Sequence, residues 1–402
     1  MSTPHNTELA VPFDTAWFRA GCAGLAETDC ASLSQAVDWV REPLRGVLAR
    51  TGEPLDAHGA AVVLILAGLE SDTVTRLAAL LAIQPVPEGE LARQDPMRKV
   101  FGPEVMTLVQ GVRALLRLGE VAGRAEDAAD GGQQEMQRKM LLAMAADLRI
   151  VLVRLASRLQ SLRWYAASRT PCPLSFARET MTLYTPLANR LGIWQIKWEM
   201  EDLAFRFLEP ETYRAIARQL EEKRTEREDF IQAVVGRLQD ALRDANIPAE
   251  IYGRPKHIYS IWNKMRIKHL EFNQLYDLRA LRVIVEDERA CYGALALVHA
   301  LWTPVPDEFD DYVARPKPNG YRSLHTVVSD GQGRAFEIQI RTQEMHQFAE
   351  FGMAAHWRYK EAGARGGQVS AGSDYDQRIA WMRQLLSWKD EGGPAPTAQA
   401  PK

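Results

Sequence analysis

The sequence predicts an α+β protein, with an all-helical first half followed by a smaller domain built on a mixed sheet. Two observations carry this. Residues 31–208 read as almost continuous helix, rich in Ala, Leu and Arg, with apolar residues at helical spacing such as Leu148, Val151, Leu152, Leu155 and Leu159. After Ile247-Pro248 the pattern changes to short β-rich runs at 278–285, 324–328 and 336–340, mixed with helices. At 402 residues the chain exceeds one ordinary core, which agrees with division into domains.

In chain order, residues 1–30 form an N-terminal segment whose start, MSTPHNTELAVPFDT, lacks the basic residues and apolar run of a signal peptide. The most apolar stretch, 60–69, is too short to span a bilayer and reads as a buried helix. The helical domain, 31–208, is broken at 84–89 and by a Gly-, Ala- and acid-rich stretch at 119–134, expected to be a loop. Residues 209–246 read as a charged helical connector with solvated faces. A domain boundary is expected near 247, with the α/β domain at 247–365 and a short helix and disordered tail at 366–402.

Hydrophobic residues make up 46% and charged residues 25%, the balance of a soluble globular protein. The net charge of −3 gives no global attraction to nucleic acid or anionic membrane, so any anion site must be a local concentration of charge. Four scattered cysteines without a CxxC pair argue against a disulfide framework or zinc site and fit a reducing compartment. A cytoplasmic protein with no membrane partner is expected.

The chemistry concentrates in 253–341. A helix expected from Pro255 places Ile258, Ile261, Trp262 and Met265 on one face and Lys256, Ser260 and Lys264 on the other, with Arg254 at its mouth. Three cations beside a helix N-terminus can cradle phosphates, although a solvated amphipathic helix has the same pattern. In Phe336-Glu337-Ile338-Gln339-Ile340-Arg341 the period of two puts Glu337, Gln339 and Arg341 on one face. Closing a hairpin through Ser329-Asp330-Gly331-Gln332-Gly333, with Val328 opposite Arg334, sets Tyr321, Ser323 and His325 opposite Arg341, Gln339 and Glu337. Asp277, ahead of an apolar strand, is either a turn residue or, paired with Glu337, half of a two-carboxylate site for a hard divalent cation.

The segments GRPKHIYSIWNKM, YDLRALR, EFDDYVARPKPNGYRSLHT, EIQIRT and AAHWRYKE resemble the synthetase domain of RelA/SpoT-homologue alarmone synthetases across 248–362. The resemblance implies a nucleotidyltransferase-like domain that transfers pyrophosphate from ATP to the 3′-OH of GDP or GTP, yielding ppGpp or pppGpp and AMP. It implies that Arg254 and Arg282 sandwich adenine, that Lys256 and Lys264 hold ATP phosphates, and that Asp277 with Glu337 binds Mg²⁺. Glu337 would also activate the 3′-OH, with Tyr321 stacking on guanine and Lys317, Asn319, His325 and Gln339 around the acceptor. The loop Glu308-Phe309-Asp310-Asp311 is similar to the family's acidic variant, which tends to prefer GDP and rely on Mg²⁺.

Upstream, ETMTLYTPLANRLGIWQIKWEMEDLAFRFLEPETY is similar to the family's link between hydrolase and synthetase domains. The active hydrolase half is a metal-dependent HD domain, and here its ligand positions are altered. His58 stands at the first ligand, Ala82-Ile83 at the His-Asp pair, Val86-Pro87 at the Glu-Asp pair and Ser157 at the later Asp. Ala and Ile cannot ligate a divalent cation and neutral Ser is a poor substitute, so an inactive, pseudo-hydrolase domain is expected. That combination resembles the monofunctional RelA branch, whose members continue into domains that engage the ribosome and uncharged tRNA; nothing in this sequence matches those domains. A second reading is a nucleotide- or alarmone-binding regulatory module with negligible catalysis.

Overall fold

The computed structural model describes residues 13–85, 95–122, 147–168, 170–222, 224–253, 256–272, 275, 278–317 and 320–351. The chain divides into two compact units, His5–Pro186 and Leu187–Met353. No helix among the described residues is long and apolar enough to cross a membrane.

The first unit is helical: α1 Thr15–Gly21, α2 Glu27–Leu44, α3 Leu55–Gly68, α4 Thr73–Ala82, α5 Asp95–Ala122, α6 Leu148–Ser168 and α7 Leu174–Glu179, with a π-helical turn at Thr180–Tyr184 and α8 starting at Thr185. Helix begins earlier than residue 31 because Asp14 caps α1, accepting from the Trp17 N–H, and the buried Trp17 indole donates to the Ala60 carbonyl at 2.8 Å. The expected apolar face of α6 is buried: Val151, Leu152, Leu155 and Leu159 pack inside with Val63, Leu66 and Leu80. Helix α5 runs to Ala122, into the stretch expected to be a loop; 123–134, the Val86-Pro87 positions and the short helix expected within 366–402 lie outside the described residues.

The second unit contains α9 Trp194–Leu208, α10 Pro210–Glu222, α11 Arg224–Asp244, β1 Ala249–Gly253, α12 Ile258–Lys268, β2 Ala280–Val285, α13 Glu288–Leu301, β3 Thr303–Asp311, β4 Leu324–Ser329, β5 Ala335–Thr342 and α14 Gln343–Phe351. The five strands form one mixed sheet in the order β1-β2-β5-β4-β3, with β2 and β5 parallel and the other pairs antiparallel. One face is apolar. Leu281, Val283, Phe336, Ile338 and Ile340 meet Phe230, Val234, Leu238 and Leu242 of α11 and Cys291, Ala294 and Val298 of α13.

This packing corrects the sequence division. Residues 209–246, expected as a charged helical connector, are helical, but α11 buries its apolar stripe on the sheet and Ile216 of α10 packs on Ile261 of α12. The compact division falls at Pro186/Leu187, and residue 247 lies inside the second unit.

Three local corrections shape the site. Helix α12 starts at Ile258, not Pro255, because Asp202 of α9 accepts from the Tyr259 N–H at 2.8 Å and the Ile258 N–H at 3.3 Å, satisfying the helix's first donors. Lys256 therefore precedes the helix instead of sharing its face with Lys264. The β4–β5 register is shifted by two from the expected one, with His325 opposite Gln339 and Leu324 opposite Ile340. Asp330 fixes it: its side chain accepts from Gln332 and Arg334 N–H groups, its carbonyl from Gly333 N–H, and Gly333 takes φ +77°, where glycine carries no Cβ penalty. A two-residue shift preserves which side chains share a face. Finally, Glu308-Phe309-Asp310-Asp311 is not a loop but the end of edge strand β3, resumed after an irregularity between Pro304 and Phe309.

Candidate active site

The polar face of the sheet carries a row across all five strands. Tyr252 on β1 is in register with Arg282 on β2, Arg282 with Gln339 on β5, Gln339 with His325 on β4, and His325 with Asp310 on β3. Period-two alternation makes this possible, because the residues between them face the apolar core. Glu337 lies on the same face of β5, two residues before Gln339.

The row is hydrogen-bonded. Glu337 Oε1 accepts from Gln339 Nε2 at 2.9 Å and lies 3.2 Å from His325 Nδ1. His325 Nε2 is 2.8 Å from the Tyr321 hydroxyl. Arg341 Nη2 donates to Gln339 Oε1 at 3.1 Å, fixing which way the Gln339 amide points. Gln339 and Arg341 are buried. Burial alone would disfavour the imidazolium of His325, but Tyr321 and Glu337 outweigh it and hold the pKa above the ordinary histidine value.

Lys264 on α12 faces Glu337 and Glu308. Burial pushes its ammonium pKa below the ordinary lysine value; Glu337 and Glu308 oppose that shift and Lys268 adds to it. Lys268, one turn on, pairs with Glu308 at 2.9 Å. The three acids of the 308–311 segment thus differ in surroundings. Glu308 belongs to the α12 lysines. Asp310 is hydrogen-bonded to Tyr312, whose hydroxyl pKa is raised by burial and then by that carboxylate. Asp311 caps the following turn, accepting from the Val313 and Ala314 N–H groups at 3.0 and 2.8 Å and from the Tyr292 hydroxyl at 3.0 Å.

A turn at 317–321 presents two more expected residues. Gly320 N–H donates to the Lys317 carbonyl, and Lys317 N–H to that of Tyr321. Gly320 has φ +80° and lies under the Phe348 ring, where a Cβ would come within 2.8 Å of a ring carbon. The Lys317 ammonium sits 4.3 Å from the Tyr312 ring centroid. Tyr321 stands among Trp194, Tyr312 and the Arg341 guanidinium, with ring centroids 6.0 and 6.2 Å away and the guanidinium at 5.7 Å.

The structure therefore gathers Lys264, Arg282, Glu308, Asp310, Lys317, Tyr321, His325, Glu337 and Gln339 around one sheet face. Arg254, Asp277 and Asn319 lie outside the described residues. The sequence reading passed over Lys268, Tyr312, Arg341's bond to Gln339, and a group on α14. There Glu350 pairs with Arg282 at 2.7 Å and His346 Nε2 meets the Tyr252 hydroxyl at 3.2 Å. The available signals were the i+4 spacing of Lys264 with Lys268, and of His346 with Glu350.

In the first unit, His58 and Ser157, two of the residues singled out in the sequence, lie in a second polar cluster. His58 Nδ1 is 2.6 Å from Glu53 Oε2 and its Nε2 is 2.9 Å from Ser157 Oγ. Gln160 Nε2 donates to Glu53 Oε1 at 2.6 Å. All four residues are buried. Ala82 ends α4, its carbonyl accepting from Arg113, and the Ile83 side chain occupies the space that a Cβ on Gly59, next to His58, would need. Among the described residues no group of three or more His, Cys, Asp or Glu could hold a metal.

Comparison with known proteins agrees with this two-part organisation. Residues 253–364 match the region found in RelA / SpoT proteins, and residues 36–194 match an HD domain. The chain is 47% identical over 334 residues to a GTP pyrophosphokinase of Photobacterium angustum, covering 83% of this chain and 44% of that protein. It is 43% identical over 343 residues to a probable guanosine-3′,5′-bis(diphosphate) 3′-pyrophosphohydrolase of Synechocystis, covering 85% of this chain and 44% of the relative. The chain thus spans less than half the length of these relatives. Among solved structures it is similar to small alarmone synthetase 1 from Bacillus subtilis bound to its product pppGpp: 25% identity over 42% of this chain and 97% of that one, with a TM-score of 0.28.

Proposed function

We propose that this chain, whose residues 253–364 match the region found in RelA / SpoT proteins, works as a member of that family and that its second unit moves the β,γ-pyrophosphate of ATP onto the ribose 3′-oxygen of GDP or GTP, giving ppGpp or pppGpp and AMP. The observation that carries this reading is the Glu337 carboxylate, fixed on Oε1 by Gln339 and His325 and faced by Lys264. A positioned carboxylate beside a desolvated cation is what deprotonation of a hydroxyl next to a polyphosphate requires.

In the proposed reaction the 3′-oxygen forms a bond to the β-phosphorus, the bond from that phosphorus to the α,β-bridging oxygen breaks, and AMP leaves. Glu337 takes the 3′-hydroxyl proton. Lys264, on α12, sets its positive charge against the phosphates, with Lys256 and Arg254 assigned to the same donor. Tyr321 and Lys317 receive the acceptor purine and its phosphates, and Asn319 is assigned there with them. Hard carboxylate oxygens suit a magnesium ion, so Glu337 with Asp277 would hold it; once bound it offsets phosphate charge. Of the three acids at 308–311, Asp310 shares the row with His325 and would disfavour an extra acceptor phosphate, which supports a preference for GDP.

For the first unit we infer no alarmone hydrolysis. His58 spends both ring nitrogens on Glu53 and Ser157, and Glu53 spends its carboxylate on His58 and Gln160, so these groups are committed to one another.

The test is incubation of the chain with Mg²⁺, labelled ATP and GDP. The wild type should form ppGpp and AMP, and Asp277→Ala and Glu337→Ala should form neither above about 1% of the wild-type rate, the scale of a lost general base. Equal turnover by these variants would defeat the site assignment. Added ppGpp should stay intact with Mn²⁺, and its breakdown would overturn the reading of the first unit.

A further inference from the structure

Arg282 is buried on β2, at 7% exposure. Its Nη1 donates to Glu350 Oε1 on α14 at 2.7 Å, and its Cζ lies 5.8 Å from the Tyr252 ring centroid. Helix α14 is held in place at the same spot. His346, one turn before Glu350, meets the Tyr252 hydroxyl through Nε2 and lies 3.8 Å from Glu350 through Nδ1. The helix is therefore tied to β1 through Tyr252 and to β2 through Arg282.

A guanidinium bonds carboxylates along its N–H edge, in its own plane, and stacks through its faces. Glu350 takes the edge. That contact fixes the plane of the Arg282 group and leaves stacking to its faces. A buried cation also needs a counter-charge, and Glu350 supplies it.

We propose that Glu350 is the positioning residue for Arg282, holding its guanidinium plane where it stacks on the purine of the nucleotide donor. The proposal rests on the reading that Arg282 belongs to the ATP site. It makes α14 a part of donor recognition although Glu350 itself touches no substrate.

Steady-state kinetics on the whole chain test this with Glu350→Gln, Arg282→Ala and the double variant. Glu350→Gln should raise KM for ATP by about tenfold and leave kcat and KM for GDP within twofold. In the Arg282→Ala background the Glu350 substitution should have no further effect on KM for ATP, because Glu350 acts through Arg282. If Arg282→Ala raises KM for ATP while Glu350→Gln leaves it unchanged or lowers it, the positioning role is overturned and the donor-site reading survives. If Arg282→Ala leaves KM for ATP unchanged, the donor-site reading itself falls and the proposal with it. Glu350→Asp keeps the charge on a shorter arm and covers the case of a Glu350→Gln chain that does not fold. It should give an intermediate rise in KM for ATP, and no rise would contradict the proposal.

Discussion

His325 Nδ1 lies 3.2 Å from Glu337 Oε1, and His325 Nε2 lies 2.8 Å from the Tyr321 hydroxyl, so one imidazole joins the proposed base to the proposed purine platform. The contact makes the protonation of His325 a reporter of Glu337. Removing the carboxylate leaves burial, which disfavours the imidazolium, opposed by Tyr321 alone. Glu337→Gln should lower the His325 pKa, as followed by NMR titration of the imidazole; an unchanged pKa would mean that the two groups are not coupled.

The same contact gives a pH dependence of stability. The folded pKa of His325 is raised above its unfolded value of about 6.5, so the stabilisation is complete below that pH and is lost as pH rises through the folded pKa. In chemical denaturation the stability difference between wild type and His325→Gln should shrink as the pH rises above about 6.5. A difference that grows with pH would reverse the sign of the argument.

The acids of β3 should separate by function. Asp310→Asn should raise the ratio of kcat/KM for GTP over GDP several-fold, about 1 kcal/mol in differential binding. Asp311→Ala should leave that ratio within twofold and cost about 1 kcal/mol of stability, because it removes acceptors for two backbone N–H groups. Interchanged effects would show that Asp311, not Asp310, faces the acceptor.

In the helical unit, Ser157→Ala removes the partner of His58 Nε2 in a buried setting. A loss of about 1–3 kcal/mol in urea denaturation is expected, with synthesis unchanged. A neutral result would mean that the Glu53–His58–Ser157 cluster contributes nothing to the fold.

Gly320→Ala places a Cβ against Phe348 at a backbone angle of +80°. It should cost about 1–2 kcal/mol and raise KM for the acceptor more than for ATP, since Lys317 and Tyr321 flank the turn. Equal KM effects on both substrates would dissociate the turn from acceptor binding.

Much of this site is written in local pattern. The alternation Glu337, Gln339, Arg341 survives a shift of two in the hairpin register, because face assignment depends only on parity. The apolar stripe Ile258, Ile261, Trp262, Met265 is found packed as expected, against Ile216, Phe272 and Leu275. What local pattern does not carry is long-range. Nothing near residue 258 announces that Asp202, 56 positions earlier, satisfies the first donors of α12. Strand β3 escaped because Pro304 and Pro306 argue against a central strand, and only its place at the sheet edge tolerates them. The Arg282–Glu350 pair spans 68 residues and depends on α14 folding back over β2 and β5.

The most direct measurement of the central claim is phosphorus NMR of the wild-type chain turning over ATP and GDP with Mg²⁺, with Glu337→Gln beside it. The account predicts AMP and ppGpp in equal amounts, the new diphosphate on the 3′-oxygen, and no turnover by the variant. AMP without a 3′-diphosphorylated product, or a Glu337→Gln chain as active as wild type, would contradict it.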